Sequence, residues 1–232
     1  MSDEKPIPVA VVGAGNMGAN HIRVYDELPD ADLVEIVEPD PDSVESLEKL
    51  TDVRVLETID DINHAVAASV AVPNDQHEPT ARSLLEHGLD LLIEKPLAPT
   101  VEEAERIVSA ADANDAVLQV GHIEQFNPAI EVLREILDDE QIVAMESHRL
   151  GPFNEHLTDT DVVFDLMIHD LDVIDSLIDG RVQSVSAVGA TPRSPKTDHA
   201  STLLKYNSGE TANLTASHVT HGKIRQLTVT TI

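Results

Sequence analysis

A β-branched run, Val9-Ala10-Val11-Val12, leads directly into Gly13-Ala14-Gly15-Asn16-Met17-Gly18 and then into a helical pattern through His21, Val24 and Leu28. In that setting each glycine has a separate reason to be there. The first makes a tight turn, the second lets backbone approach a pyrophosphate, and the third lets the helix pack on the strand. The helix N-terminus then stabilises phosphate charge. A glycine string of this kind is weak evidence alone, but between a strand and a helix it predicts a dinucleotide site formed by Gly13, Gly15, Asn16, Met17 and Gly18. Twenty residues past Gly18, Glu38 ends the second β-branched run, where a carboxylate can accept both ribose hydroxyls of an adenosine half. Pro39, Asp40 and Asp42 follow it with no arginine, an arrangement that repels a 2′-phosphate and favours NAD over NADP.

Short apolar runs and helical patterns alternate through the first half, the rhythm of a parallel sheet covered by helices on both faces. Strands are predicted at Pro8 to Val12, Leu33 to Val37, Val53 to Leu56, Ser69 to Val72, Leu89 to Ile93 and Val117 to Val120. Thr100-Val101-Glu102-Glu103 has capping-box spacing, and Gly88 sits where a helix starting near Glu78 should stop. After Gly121 the pattern changes. A helix from about Pro128 to Leu137, a strand from Ile142 to His148 and a Gly-, Pro-, Asn- and Asp-rich loop precede an apolar helix from about Val162 to Leu177. Beyond it, period-two runs at Val182 to Val188, Thr202 to Tyr206, Thr211 to Val219 and Ile224 to Ile232 predict an antiparallel meander. The expected architecture is α/β: a doubly wound parallel sheet over residues 1–121, then an α+β domain with a mostly antiparallel open sheet over 122–232. The last run ends without a turn residue, so that sheet reads as incomplete, with an edge open to pairing.

Composition narrows the function classes. The 232 residues include 43 acidic and 15 basic ones, a formal charge of −28, which excludes a generic binder of nucleic acid or anionic membrane. With 41% hydrophobic residues the chain is too apolar for a solvated acidic tail. The absence of cysteine removes disulfides, thiolate nucleophiles and Cys-type zinc sites. Met1-Ser2-Asp3-Glu4-Lys5-Pro6 lacks the basic start and apolar run of a signal peptide, and no stretch approaches the ~20 apolar residues of a spanning helix, so the reading is cytoplasmic. The acidic excess, with only six lysines, points to a halophilic surface in which salt screens self-repulsion.

Three places carry chemistry. Glu94-Lys95-Pro96 ends the fifth predicted strand, on the edge where open α/β sheets bind ligands, and Lys95 there can donate to a substrate hydroxyl and stabilise an alkoxide. A surface lysine at a strand-to-helix turn fits the spacing as well. Asp165 and His169 lie four apart on an apolar helix, so the carboxylate can orient the imidazole as a base; a structural Asp-His pair is the alternative. Asp170 and Asp172 are expected to face solvent or cap loops. His77, in Pro73-Asn74-Asp75-Gln76-His77, falls just past the fourth strand on the crevice side, where it can line the cofactor or cap a helix. His64, His87, His199, His218 and His221 read as solvated or satisfied side chains. His122 and Glu124 supply possible ligands without a spacing that links them to His169, so no metal is expected.

In order along the chain, the glycine fingerprint, the acidic end of strand two, Glu94-Lys95-Pro96, Gly121-His122-Ile123-Glu124-Gln125-Phe126-Asn127-Pro128 and Asp165-x-x-x-His169-Asp170 resemble the glucose-fructose oxidoreductase / myo-inositol dehydrogenase (Gfo/Idh/MocA) family. The resemblance covers essentially the whole chain. It implies an N-terminal Rossmann domain and a C-terminal α+β domain whose open sheet joins homo-oligomers. The implied activity is NAD(P)-dependent oxidation or reduction of a sugar hydroxyl or ketone. By position, Lys95 would contact both nicotinamide ribose and the reacting hydroxyl, His169 would be the acid/base, and Asp165 would orient it or hold the sugar. Pro73, Asn74, His77 and Glu94 join the cofactor set, and His122, Gln125, Asn127 and Arg149 the substrate set. The stretch around Gly121 to Pro128, with Arg149-Leu150-Gly151-Pro152-Phe153, looks most like the nucleotide-sugar branch, particularly UDP-N-acetylglucosamine 3-dehydrogenases. That branch often has arginine at Gln125 and a basic loop at Asn154-Glu155-His156. These departures leave Arg149 as the obvious cation for a diphosphate, and keep a free sugar or inositol open. The family's sheet continues beyond the point matching Ile232, so the chain also reads as C-terminally truncated, and a shortened non-catalytic relative is the rival reading.

The charge excess yields one test. Lowering KCl from molar to about 0.1 M lengthens the screening distance from ~3 to ~10 Å and is expected to lower the melting temperature; an unchanged value would overturn the halophilic reading.

Overall fold

The computed structural model describes residues 5–48, 51–154 and 160–232, and the chain divides into two units, Met1–Gly121 and His122–Ile232. The start of the N-terminal hexapeptide, and Glu155 and His156 of the loop compared above, lie outside the described residues. No helix among the described residues is long and apolar enough to cross a membrane.

In the first unit, strands and helices alternate as β1 (Ile7–Val12), α1 (Asn16–Glu27), β2 (Ala31–Val37), α2 (Pro41–Glu48), β3 (Arg54–Leu56), β4 (Ala67–Val70), α3 (His77–Glu86), β5 (Asp90–Ile93), α4 (Val101–Ala113) and β6 (Leu118–Val120). Every pairing is parallel, in the order β3-β2-β1-β4-β5-β6. Helices cover both faces of such a sheet, so its central strands are apolar throughout: Val9 to Val12, Ala68, Val70, Leu91 and Ile93 are all buried. From α3 and α4, Ala81, Leu84, Leu85, Ile107 and Ala111 pack into the same core. The capping box is in place, with Thr100 Oγ1 accepting from Glu103 N–H and Glu103 Oε2 accepting from Thr100 N–H. Gly88, at φ +81°, takes the left-handed conformation that ends α3. Strand order reverses between β1 and β4, and that reversal opens a crevice at the carboxyl ends of the strands.

Among the described residues of this unit, one carboxylate is fully enclosed. Glu35 on β2 accepts hydrogen bonds from the backbone N–H groups of Asn63, His64 and Ala65, at 3.3, 3.1 and 3.2 Å, and from Arg54 at 2.9 Å; His64 Nδ1 is 3.0 Å away. These bonds tie β2 and β3 to the segment entering β4.

The second unit contains α5 (Pro128–Leu137), β7 (Ile142–Leu150), a π turn (Val163–Met167), α6 (Ile168–Leu177), β8 (Val182–Ala190), β9 (His199–Tyr206), β10 (Thr211–Ser217) and β11 (Ile224–Thr231). The strand order is β11-β7-β10-β9-β8. The expected meander holds only for β8, β9 and β10, which pair antiparallel. The far edge of β10 is already taken by β7 in parallel, so β11 cannot continue the meander and pairs with β7 instead. Ala212, Leu214, Ala216, Leu204 and Tyr206 turn inward onto Val162, Met167 and Ile174, while β8 is exposed along its whole length.

The apolar helix expected from Val162 to Leu177 is helical over that whole span, but its first part is not a regular α-helix. The π turn places an extra residue in its first part, so Asp165 and His169 sit on either side of a change in helical geometry rather than on one regular α-helical stripe.

Burial pushes the Glu35 carboxyl up, but hydrogen bonds from the His64 side chain and the three backbone N–H groups bring it below the ordinary carboxylate value. Its contribution is therefore complete above that ordinary value and lost as pH falls through the lowered one. Glu35→Gln is expected to cost about 2 kcal/mol at pH 7, measured by urea denaturation. The gap from the wild type should shrink as pH approaches 3, and a gap that does not change with pH would refute the assignment.

Candidate functional site

The glycine turn is built around backbone contacts that leave no room for side chains. Gly13 has φ +88°, donates its N–H to Val37 O at 2.8 Å, and a Cβ on it would stand 2.8 Å from Ala71 O. A Cβ on Gly18 would collide with the Gly13 carbonyl, so α1 can rest on the turn only if residue 18 is glycine. Gly15 differs: it is exposed, and nothing lies within 4 Å of the position its Cβ would take. It is also the N-cap of α1, which has no side-chain cap and no acidic residue in its first turn, so the helix's leading N–H groups are left for an anion. Asn16 and Met17 are exposed beside it. Glu38 reaches back over the turn, accepting from Ala14 N–H at 2.8 Å through Oε2 and from Asp40 N–H at 3.0 Å through Oε1. A carboxylate oxygen can accept more than one bond, so both retain capacity for ribose hydroxyls. These features fit a dinucleotide.

Pro73 and Asn74 are exposed just past β4, and Lys95 is half-buried just past β5. His77 departs from the expected cofactor role. It is fully buried, with Nδ1 2.9 Å from Pro96 O and Nε2 3.1 Å from Val72 O. Both ring nitrogens thus face backbone carbonyls, one donating as the N–H of the neutral ring, and the ring links the loop after β4 to the segment after Lys95. Glu94 is likewise engaged: Oε1 lies 3.0 Å from His21 Nε2, and Oε2 accepts from Lys95 N–H at 3.2 Å. Burial raises the Glu94 carboxyl, but the His21 bond and charge, with the Lys95 N–H, bring it below the usual range. His21 was not singled out in the sequence. Its place in the first turns of α1, three residues after Gly18, is the signal that aims it at the same crevice.

In the second unit, charge organises the candidate acid–base region. Arg149, at the end of β7, donates from Nε to both Asp170 oxygens at 3.0 Å, from Nη2 to Asp170 Oδ1 at 2.8 Å and from Nη1 to Glu124 Oε1 at 3.0 Å. Burial lowers the Arg149 pKa, but the two carboxylates more than reverse that. Burial raises Glu124, whereas hydrogen bonds from Arg149 and Asn127 and the nearby charge of His169 bring it down. Asp170 is therefore an ion-pair partner rather than a solvent-facing group. Asp172 also turns inward, accepting from Gln125 Nε2 at 2.6 Å, with His122 Nδ1 3.9 Å away.

Two expected substrate ligands have structural work here. Gln125 donates to Asp172 and accepts from Arg134, which occupies both ends of its amide. Asn127 caps α5, its Oδ1 accepting from Ala129 N–H at 3.0 Å and its Nδ2 donating to Glu124 at 3.1 Å. Asp165 accepts through Oδ2 from His218 Nε2 at 3.0 Å. His218, read as an ordinary side chain, is 2% exposed. Alternation along β10 could have found it, because residue 218 has the parity of the inward-facing Ala212, Leu214 and Ala216. Among the described residues, no group of three or more His, Asp or Glu side chains is placed to hold a metal ion.

Comparison with known proteins agrees with this organisation. Residues 7–122 match the oxidoreductase family with an NAD-binding Rossmann fold, and residues 141–231 match the GFO/IDH/MocA C-terminal domain. The chain is 31% identical over 220 residues to UDP-N-acetylglucosamine 3-dehydrogenase of Acidithiobacillus ferrooxidans, covering 94% of this chain and 69% of that protein. A crystal structure of that enzyme superposes with a TM-score of 0.90 over 96% of this chain and 73% of its own. Inositol 2-dehydrogenase of Corynebacterium glutamicum (strain R) is 35% identical over 191 residues, 78% of this chain and 57% of that enzyme. The fold also matches the WlbA dehydrogenase of Bordetella pertussis, solved with NADH and UDP-GlcNAcA, at a TM-score of 0.91 and 22% identity over 100% of this chain and 72% of that one. The chain thus spans between about half and three quarters of these relatives.

The glycines give a paired test. Gly15 is extended, at φ −64° and ψ −167°, and has open space, so Gly15→Val should fold normally yet bind NAD at least about tenfold more weakly by titration calorimetry. Gly18→Val should instead destabilise the fold by about 3 kcal/mol. Wild-type NAD affinity in Gly15→Val would place the dinucleotide elsewhere.

Proposed function

The chain belongs to the Gfo/Idh/MocA oxidoreductase family, and on that premise we propose that it is an NAD-dependent dehydrogenase acting on a sugar or nucleotide-sugar hydroxyl. The observation that carries the cofactor half is the open Gly15 at an uncapped helix start, with Glu38 across the turn. Bound there, the nicotinamide would accept or return the hydride. The proposed work of the protein is proton handling and orientation. Lys95 donates to the reacting oxygen and stabilises its negative charge, His169 takes the hydroxyl proton on its imidazole, and Asp165 keeps that imidazole or the sugar oriented. In the reverse direction His169 returns the proton.

For the substrate we propose the C3 hydroxyl of UDP-N-acetylglucosamine, supported by the 31% identical relative and by the Arg149 stretch. A second reading, an inositol or free sugar, is favoured by one observation: the Arg149 guanidinium is already matched by Asp170 and Glu124, which leaves it poorly placed to neutralise a diphosphate. The exposed edge strand β8, with Val185 and Val188 open to solvent, supports a proposed homo-oligomeric contact through this sheet.

The test is NADH formation in molar KCl with UDP-N-acetylglucosamine, other nucleotide sugars, free hexoses and inositols, with NADP in parallel. Turnover of the nucleotide sugar is expected; turnover of inositol alone would select the second reading. His169→Ala should then reduce kcat by at least about a hundredfold while NAD still binds. Absence of turnover in wild-type protein that binds NAD would favour a non-catalytic relative.

A further inference from the structure

His218 is buried within hydrogen-bond distance of the proposed acid–base pair, yet the steps above give it no task. It follows β10 on the inward side of the strand, and its backbone N–H donates to Asp198 O at 2.8 Å. Its Nε2 lies 3.0 Å from Asp165 Oδ2. The carboxylate can only accept, so Nε2 carries the hydrogen in this pair. The Asp198 side chain is fixed by bonds from the backbone N–H groups of Arg193 and Ser194, at 2.7 and 3.0 Å. Its charge and that of His218 interact. Nδ1 of His218 and Oδ1 of Asp198 are both buried without a hydrogen-bond partner. His218 is therefore anchored through its backbone N–H, and its ring makes one hydrogen bond, from Nε2 to Asp165. Arg225 and Asp165 also interact through their charges.

The π turn gives this contact a purpose. Asp165 belongs to that turn and His169 to α6, so regular helical spacing does not by itself aim one side chain at the other. A partner from a different element can fix the Asp165 rotamer. We propose that His218 is the positioning residue of the acid–base pair, holding Asp165 by Oδ2 so that Oδ1 is the oxygen presented to His169 or to the sugar hydroxyl. The inference rests on the dehydrogenase reading of the same site.

The experiment uses the full chain and whichever substrate wild-type protein turns over. His218→Leu keeps most of the volume and removes the donor; it should lower kcat by about one to two orders of magnitude with little change in KM for NAD. His218→Gln replaces the donor and should recover kcat to within a few-fold of wild type. Because His218 acts through Asp165, adding His218→Leu to Asp165→Ala should cost no further activity. Wild-type kcat in His218→Leu, independent losses in the double variant, or no recovery in a folded His218→Gln would each overturn the proposal. If His218→Leu does not fold, the Gln variant decides alone: near-wild-type kcat supports the role and a large loss refutes it. Wild-type protein inactive on every substrate would overturn the dehydrogenase reading and this inference with it, whereas an active wild type with an unaffected His218→Leu removes only the latter.

Discussion

The approach of α1 to the turn that precedes it governs the first unit. Gly18 rests so close to the Gly13 carbonyl that no side chain fits between them, and Gly13 rests on Ala71 in the same way. These two contacts fix the helix axis relative to β1 and β4, the strands between which the strand order reverses. With that angle set, the exposed Gly15 and the uncapped start of α1 stand at the mouth of the crevice, and Glu38 can span the turn to Ala14. A methyl group at residue 18 would tilt the helix and dismantle all of this at once. The same steric demand creates both the packing and the anion site.

The second unit organises its polar side chains by ion pairing. Arg149 meets Asp170 in a forked geometry that delocalised guanidinium favours, and its remaining arm reaches Glu124. Glu124 is bonded in turn by the Asn127 that caps α5, while Gln125 bridges Arg134 and Asp172. The stretch from His122 to Asn127 is thereby stitched to α5, α6 and β7, with backbone bonds from Ile130 and Glu131 to Asn127 O adding to the side-chain contacts. Such a network is costly to leave half-satisfied, because each buried charge would lose its partner.

The fold was largely legible because parallel strands buried on both faces read as continuous apolar runs, and because Thr100 with Glu103 and Gly88 mark helix ends by local chemistry. Pairing across the second sheet was not, since β7 lies far from β10 in sequence and nothing local specifies that they run parallel. The π turn was hidden for a related reason: Val163 to Met167 keeps an apolar pattern that an α-helix would satisfy equally well. At the site, residue types were easier to read than their partners. The sequence marks Gln125, Asn127, His77 and Arg149 as polar groups in suggestive places, but whether each polar atom is spent on a neighbour depends on contacts distant along the chain. His218 was recoverable from β10 alternation, whereas its bond to Asp165, 53 positions away, was not.

Helix α1 is fastened to the sheet at two further points: Tyr25 Oη lies 2.6 Å from Ser69 Oγ on β4, and His21 reaches Glu94 at the end of β5. The Glu94 carboxylate also receives the N–H of Lys95. The helix that would meet a pyrophosphate and the backbone of the lysine that would meet a hydroxyl thus share one carboxylate. In linkage terms, whatever coupling that carboxylate carries between a dinucleotide on α1 and a ligand at Lys95 is reciprocal, changing both affinities by the same factor.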